Sequence, residues 1–391
     1  ATVTGANIET VTGATADDTV TLGAQSTDVT VDLGDGGDTL TLGAWVNTIT
    51  VSNVETVTGG ASRDVVTLGS QATTSRIDLG GGADTLVLGA HDNTATVSNV
   101  ETITGAASSD VVVLGARSTD GVVDLAAGDD SLTLAAQINT VTVSNTETIT
   151  GGSTNDTVTL GAQATGATID LAAGLDRLVL GAHVNTVTVS NIETVTGGAT
   201  DDTVTFGAAV TGATVDLGAG NDTLTFAAAG ATVTVSAIET VTGATADDVV
   251  TLGAQTTAAI IDLDDGGDRL VLGAYVNTVT AADVETITGG ASSDTVTLST
   301  QASVSVIDLA GGSDKLVLGN FANTASVANV ETVTGNADVD LVTLTAQATG
   351  ASIDLEAGAD GLTLGAFVNT VTVSAAEIDP RGGGLRTERD D

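Results

Sequence analysis

No cysteine occurs anywhere in this chain, so disulfide staples and thiolate metal sites are excluded from the start. Proline occurs once, at Pro380, and leaves a sheet's hydrogen-bond ladder unobstructed before it. Aromatic residues are 2% of the total, which rules out a core built on large rings. Basic residues are equally scarce. Nine stand against 50 acidic ones, for a formal charge of −41, and such a surface would repel a nucleic-acid backbone. A cationic partner, above all a divalent metal ion, is the natural complement. No apolar run approaches the roughly 20 residues that a membrane-spanning helix needs. The two histidines, His91 and His183, have no companion base or nucleophile and make no catalytic site.

What remains is rich in Val, Leu, Thr, Ile and Gly, with hydrophobic residues at 41%. A disordered acidic segment would be poor in branched aliphatics. Those residues form strands, and the 49 glycines suit frequent tight turns. The composition therefore predicts an all-β fold around a thin aliphatic layer. A cysteine-free, acidic, Thr/Gly/Ala/Asp-rich makeup is common among exported bacterial proteins, so the expected location is extracellular, at a bacterial cell surface. Ala1 opens in the middle of a repeat, and the chain reads as a mature product or a fragment.

Internal repetition decides the fold. The pattern [IVT]-E-T-[VI]-T-G-x4-D-x-V-x-[LF] starts at Ile8, Val54, Val100, Thr146, Ile192, Ile238, Val284 and Val330. Each time it runs on into [VI]-D-L-x-x-G-x-D-x-L-x-[LF]. The step is 46 residues without one insertion, and such strict phase means that every unit stacks on its neighbour. The expected architecture is a β-solenoid (β-roll or β-helix) of eight repeats over 1–375, followed by a tail or linker, 376–391, holding Arg381, Arg386 and Arg389. Two related halves lie within each unit: Asp18 to Ala24 mirrors Asp38 to Ala44, 20 residues on, and 26 more lead to Asp64. This spacing predicts two coils per repeat, one shorter and one longer, with a single 46-residue coil as the alternative. Sixteen coils would stack to roughly 75–80 Å. Period-two alternation points Val20, Leu22, Leu40, Leu42, Ile49 and Val51 inward, and Thr19, Thr21, Thr39, Thr41, Thr48 and Thr50 outward.

Four acidic positions recur in all eight units, in the columns of Glu9, Asp18, Asp32 and Asp38, and supply 32 of the 50 acidic residues. Neighbouring positions wander in identity, so these four require a carboxylate. The turn D-L-x-x-G-x-D-x-L, as in Asp32 to Leu40, Asp78 to Leu86 and Asp308 to Leu316, contains Gly-x-Asp-x-Leu. This resembles the glycine-rich nonapeptide of the RTX (repeats-in-toxin) proteins, and Leu79 to Val87 departs from it only at the first glycine. Gly197 to Thr205 is a looser version in the other half, with Thr200 at the second diagnostic glycine. Tandem nonapeptides are missing, and the predicted coils exceed the family's.

The resemblance implies calcium held between stacked turns. The implied ligands are Asp38, Asp84, Asp130, Asp176, Asp222, Asp268, Asp314 and Asp360, with backbone carbonyls at Gly36, Gly82, Gly128, Gly174, Gly220, Gly266, Gly312 and Gly358. The looser turns would add Asp18, Asp64, Asp110, Asp156, Asp202, Asp248, Asp294 and Asp340. Electrostatics points the same way: carboxylates about 5 Å apart raise each other's pKa and oppose folding, and calcium takes six to eight hard oxygens. Metal binding would then be folding energy. The alternative is that each Asp only hydrogen-bonds backbone in its turn. For the Asp32 and Glu9 columns a solvated face is expected.

Asn47, Asn93, Asn139, Asn185, Asn277, Asn323 and Asn369 form a further column, broken at Ala231, that reads as a structural amide ladder. Two residues earlier, Trp45, His91, Gln137, His183, Ala229, Tyr275, Phe321 and Phe367 suggest a semi-exposed ridge. Identical carboxylate pairs in every unit argue against a single glycosidase-like centre. The function expected is structural: the calcium-stiffened repeat region of a surface layer, adhesin or filament, associating end to end or side by side. Cell-surface polysaccharide is a further candidate partner. T-x-T strands also suggest an ice-binding surface, and a polysaccharide-acting solenoid enzyme ranks last because no insertion builds a cleft.

Overall fold

The computed structural model describes residues 8–227 and 229–374, with the backbone of Thr2–Val3. The uncapped segment Ala1 to Asn7 and the tail 376–391 otherwise lie outside the described residues. Two compact units divide the chain, Ala1–Thr196 and Gly197–Asp391.

In the first unit the strands follow one another as β1 (Thr2–Val3), β2 (Thr10–Ala14), β3 (Thr19–Leu22), β4 (Thr27–Gly34), β5 (Thr39–Thr41) and β6 (Asn47–Ser52). The next repeat supplies β7 (Thr56–Thr58), β8 (Asp64–Leu68), β9 (Ser75–Asp78), β10 (Thr85–Val87) and β11 (Thr94–Ser98). Each strand pairs in parallel with the second one along: β2 with β4, β3 with β5, β4 with β6 and β5 with β7. Odd and even strands thus build two sheets, and the chain crosses between them at every turn. The second unit repeats the arrangement. There Thr203–Phe206 pairs with Thr223–Phe226, and Val210–Gly218 pairs with Ala231–Ser236. The β-solenoid is as expected.

The coil count is not. Five strands per repeat, shared alternately between two sheets, make two and a half coils rather than two. The V-E-T-V-T segment is a full rung of its own rather than the extra strand of a longer coil. Register steps are unequal within one repeat. Thr50 pairs with Thr67, 17 residues on, and Thr39 pairs with Thr56, whereas Thr19 pairs with Thr39 at the expected 20. A bulge at Asp28, whose φ is +55°, absorbs the drift between Thr27 and Val29. The half coil has a consequence: equivalent residues of successive repeats lie on opposite sheets. β2 belongs with the even strands, and its counterpart β7 with the odd ones.

Alternation fixes the interior. Val31, Leu33, Leu40, Leu42, Val57, Val66, Ile77, Leu79, Leu86 and Leu88 are buried between the sheets. The outward Thr residues of β3 and β5 are half-buried to exposed. The two halves Asp18 to Ala24 and Asp38 to Ala44 stack directly, with Thr19 on Thr39 and Val20 on Leu40. In the second unit Phe206 and Phe226 occupy this slot, with ring centroids 6.4 Å apart.

Candidate functional site

The Asn, Asp and Glu columns prove to be one structure. At the corner where the chain enters a sheet, each backbone N–H donates to a side-chain oxygen of the following coil. Ser26 N–H donates to Asn47 Oδ1 at 3.0 Å, and Asn47 N–H to Asp64 Oδ1 at 3.1 Å. Asp64 N–H donates to Asp84 Oδ1 at 2.6 Å, and Asp84 N–H to Glu101 Oε2 at 2.7 Å. Asn47 Nδ2 doubles the contact to Asp64 Oδ1 at 2.8 Å. The next repeat builds the same ladder at the opposite corner, through Ala72, Asn93, Asp110, Asp130 and Glu147.

In the second unit it runs through Thr256, Asn277, Asp294, Asp314 and Glu331, and Asp248 N–H meets Asp268 Oδ1. Ala231 lacks the amide but keeps the register, its N–H donating to Asp248 Oδ1 at 2.7 Å. Asp202 donates likewise to Asp222, Asp156 to Asp176, Asp340 to Asp360 and Asp18 to Asp38. The requirement for a carboxylate follows: these N–H groups are closed off from water and need an acceptor.

Sixteen candidate carboxylates therefore sit in adjacent rungs, Asp18-type beneath Asp38-type, and from Asp38 to Asp360 all are buried. The glycines of the column make room for them. A Cβ on Gly82, whose φ is +151°, would stand 2.7 Å from Asp84 Oδ1 and 2.9 Å from Arg63 N. At Gly36, φ +155°, it would meet Asp38 Oδ1 at 2.9 Å. Gly128, Gly174, Gly220, Gly266, Gly312 and Gly358 are closed in by the preceding coil in the same way.

Burial is the first cause of the titration behaviour. It pushes Asp84, Asp130, Asp176, Asp222 and Asp314 up to about 6 and Asp268 up to about 7. The N–H from the preceding coil opposes this, and the flanking Asp and Glu carboxylates reinforce it. Asp110, Asp248 and Asp340 are also raised by burial, held back by hydrogen bonds from Asn93, from Ala231 and Ala244, and from Asn323 and Asn336.

Calcium needs six to eight oxygens converging on one point. In the first unit Oδ1 of Asp38, Asp64, Asp84, Asp110, Asp130, Asp156 and Asp176 is engaged by an N–H, and so in the second unit is Oδ1 of Asp222, Asp248, Asp268, Asp294, Asp314, Asp340 and Asp360. Asp64 Oδ2 accepts from Gly60 and Asp156 Oδ2 from Gly152, while Oδ2 of Asp38, Asp84 and Asp130 is enclosed without a donor. Among the described residues no group of three or more His, Asp or Glu side chains is placed to hold a metal ion. As folded, the donor set does not fit a calcium cage.

The remaining columns are structural as well. Asp32 Oδ1 accepts Asn53 Nδ2 of the next coil at 2.7 Å, and Asn53 is held at φ +53°. Asn99 with Asp78, Asn145 with Asp124 and Asn191 with Asp170 repeat the pair. Glu55 is half-buried rather than fully solvated, because its Oε2 accepts Asp38 N–H.

Corner grooves beside the Glu column were not foreseen. One of about 290 Å³ is lined by Asn53, Glu55, Ser70 and Gln71. Equivalents hold Asn99, Glu101 and Arg117; Asn145, Glu147 and Gln163; and Asp283, Glu285 and Gln301. Only the recurrent Asn-[IVT]-Glu string, as in Asn53-Val54-Glu55, could have signalled them. The single aromatic ridge dissolves for the same half-coil reason: Trp45 and Gln137 lie on one edge of the first unit, His91 and His183 on the other. The T-x-T ranks run in register through Thr19, Thr39 and Thr56, then break at Arg76. The chain matches no protein-family model and no curated protein.

Proposed function

We propose that this chain is a non-catalytic structural module of a secreted bacterial surface or matrix assembly: a surface layer, adhesin or filament. The observation that carries this reading is uniformity. The ladder recurs from repeat to repeat in both units, four corners carry the same small groove, and the 46-residue step has no insertion that would build a cleft. Catalysis needs one differentiated centre, whereas mechanical extension needs many equal ones. The broken T-x-T ranks weigh against ice binding, which needs an unbroken lattice.

Calcium enters this reading as a counter-ion. Exposed carboxylates such as Asp17, Asp28, Asp35 and Asp92 carry the outward charge, and a divalent cation relieves their repulsion. The Gly-x-Asp-x-Leu turn, similar to the RTX repeats, supports an exported and calcium-rich setting.

Two measurements test the proposal. Protease shaving and immuno-electron microscopy of the producing cell should place the chain at the surface, and recovery from the cytosol alone overturns the reading. Thermal melts should rise with calcium beyond a sodium chloride control of equal ionic strength, and no rise removes the calcium part.

A further inference from the structure

Every aromatic or imidazole ring of this chain, apart from the buried pair Phe206 and Phe226, stands at one position of one turn. Trp45, His91, His183, Tyr275, Phe321 and Phe367 hold it, each in its own repeat, and all six are exposed. Val46, Val184, Val276 and Val368 follow four of them and are exposed as well. Turns ordinarily take Gly, Pro, Asn, Asp and Ser. Rings and valines gathered at a single exposed turn mark a contact surface.

The Asn column braces this tip from below. Buried Asn47 donates from Nδ2 to Trp45 O at 2.7 Å, Asn277 to Tyr275 O at 2.8 Å and Asn323 to Phe321 O at 2.7 Å. The carbonyls of His91, His183 and Phe367 are held in the same way. The fifth repeat loses brace and ring together, with Ala231 in place of the Asn and Ala229 in place of the ring. A tip already held gives up little conformational freedom when it is covered.

The half coil sets successive tips on opposite edges. In the first unit Trp45 lies on one edge and His91 and His183 on the other; in the second, Tyr275 and Phe367 share an edge opposite Phe321. Tips on one edge are five coils apart, about 24 Å. A second copy carries the same pitch, so one contact brings the next into register. Charge selects the same occupant. With 50 acidic residues against nine basic ones, copies repel wherever carboxylates meet, whereas the tips at Trp45–Val46, Tyr275–Val276 and Phe367–Val368 are uncharged. A membrane would cover one edge of a unit, and a neighbour on each side covers both.

We propose that these tips are the lateral docking points between copies of this chain, ring against ring, so that copies join edge to edge into sheets rather than pairs. The proposal deepens the structural-module reading and rests on it. One ring buries about 150–250 Å², far short of the roughly 800 Å² per partner of a standard interface, so strength comes from many tips engaged together.

Trp45 is the only tryptophan and is 55% exposed, so its fluorescence reports on a tip directly. The full chain is concentrated in about 0.5 M sodium chloride, which screens the acidic corners. Its emission should shift to the blue and acrylamide quenching should fall several-fold while sedimentation shows growing assemblies. Tyr275→Ser, Phe321→Ser and Phe367→Ser together should weaken assembly about tenfold or more, with circular dichroism unchanged. Undiminished assembly of that variant, or quenching of Trp45 that is equal at every concentration, overturns the proposal. A blue shift produced only by phosphatidylcholine vesicles overturns it too. Should the triple variant not fold, the wild-type quenching decides alone. Recovery of the chain from the cytosol alone would remove the surface reading and leave these results standing.

Discussion

Asp64 and Asp84 lie one coil apart, and the backbone N–H of the first donates to Oδ1 of the second at 2.6 Å. That single bond explains why an acidic residue recurs there in phase. The backbone at this corner turns from one sheet to the other and has no strand partner for its N–H, so a side-chain acceptor must arrive from the next coil. A carboxylate is the shortest side chain that accepts strongly and lacks a donor of its own.

Replacing the acceptor should therefore matter more than replacing the charge. Asp84→Ala strands the Asp64 N–H and should destabilise by about 1–3 kcal/mol. Asp84→Asn retains Oδ1 and should be near neutral at pH 8, where the loss of a buried charge offsets the change in shape. Denaturant melts of the two variants check this, and equal losses would contradict it.

Gly81 and Gly82 make a matched pair. A Cβ at Gly82 runs into Asp84 Oδ1 at a φ of +151°, whereas at Gly81 it meets only Ala61 Cα at 3.7 Å. Gly82→Ala should cost about 1–3 kcal/mol and Gly81→Ala a few tenths. The comparison is read from the shift in melting midpoint.

Stability should fall as pH rises. A carboxyl whose folded-state pKa exceeds its unfolded value binds its proton more tightly when folded, so its contribution is complete below about pH 4. It is lost as pH climbs through about 6 for Asp84, Asp130, Asp176, Asp222 and Asp314, and through about 7 for Asp268. Melting temperatures in chelator at constant ionic strength should be higher near pH 5 than near pH 8. The opposite slope would contradict the account.

The core should respond as a thin but closely packed layer. Leu86 is fully buried between the sheets, and Leu86→Ala should destabilise by about 2–5 kcal/mol. Thr85→Ala, on the outward side of the same strand, should change little. Calorimetry of both variants separates the faces.

The solenoid, its repeat phase and its inward residues were legible in the sequence because period-two alternation and an invariant 46-residue step are local signals. The half coil was not. Strand pairing at steps of both 17 and 20 residues depends on where each turn closes, and V-E-T-V-T looked like an appendage of a longer coil. The carboxylate columns were also legible, but not their partners. Asn47, Asp64, Asp84 and Glu101 are 17, 20 and 17 residues apart, and no single sequence period brings them together. Calcium coordination is an expectation from spacing within one turn, and that spacing does not reveal that Oδ1 accepts the backbone N–H of the neighbouring coil.

Amide hydrogen exchange on the metal-free chain near pH 5 tests the ladder most directly. The N–H groups of Asp64, Asp84, Asp110 and Asp130 should rank among the slowest to exchange, with calcium adding little. Fast exchange at these four positions, slowed only when calcium is supplied, would contradict the account.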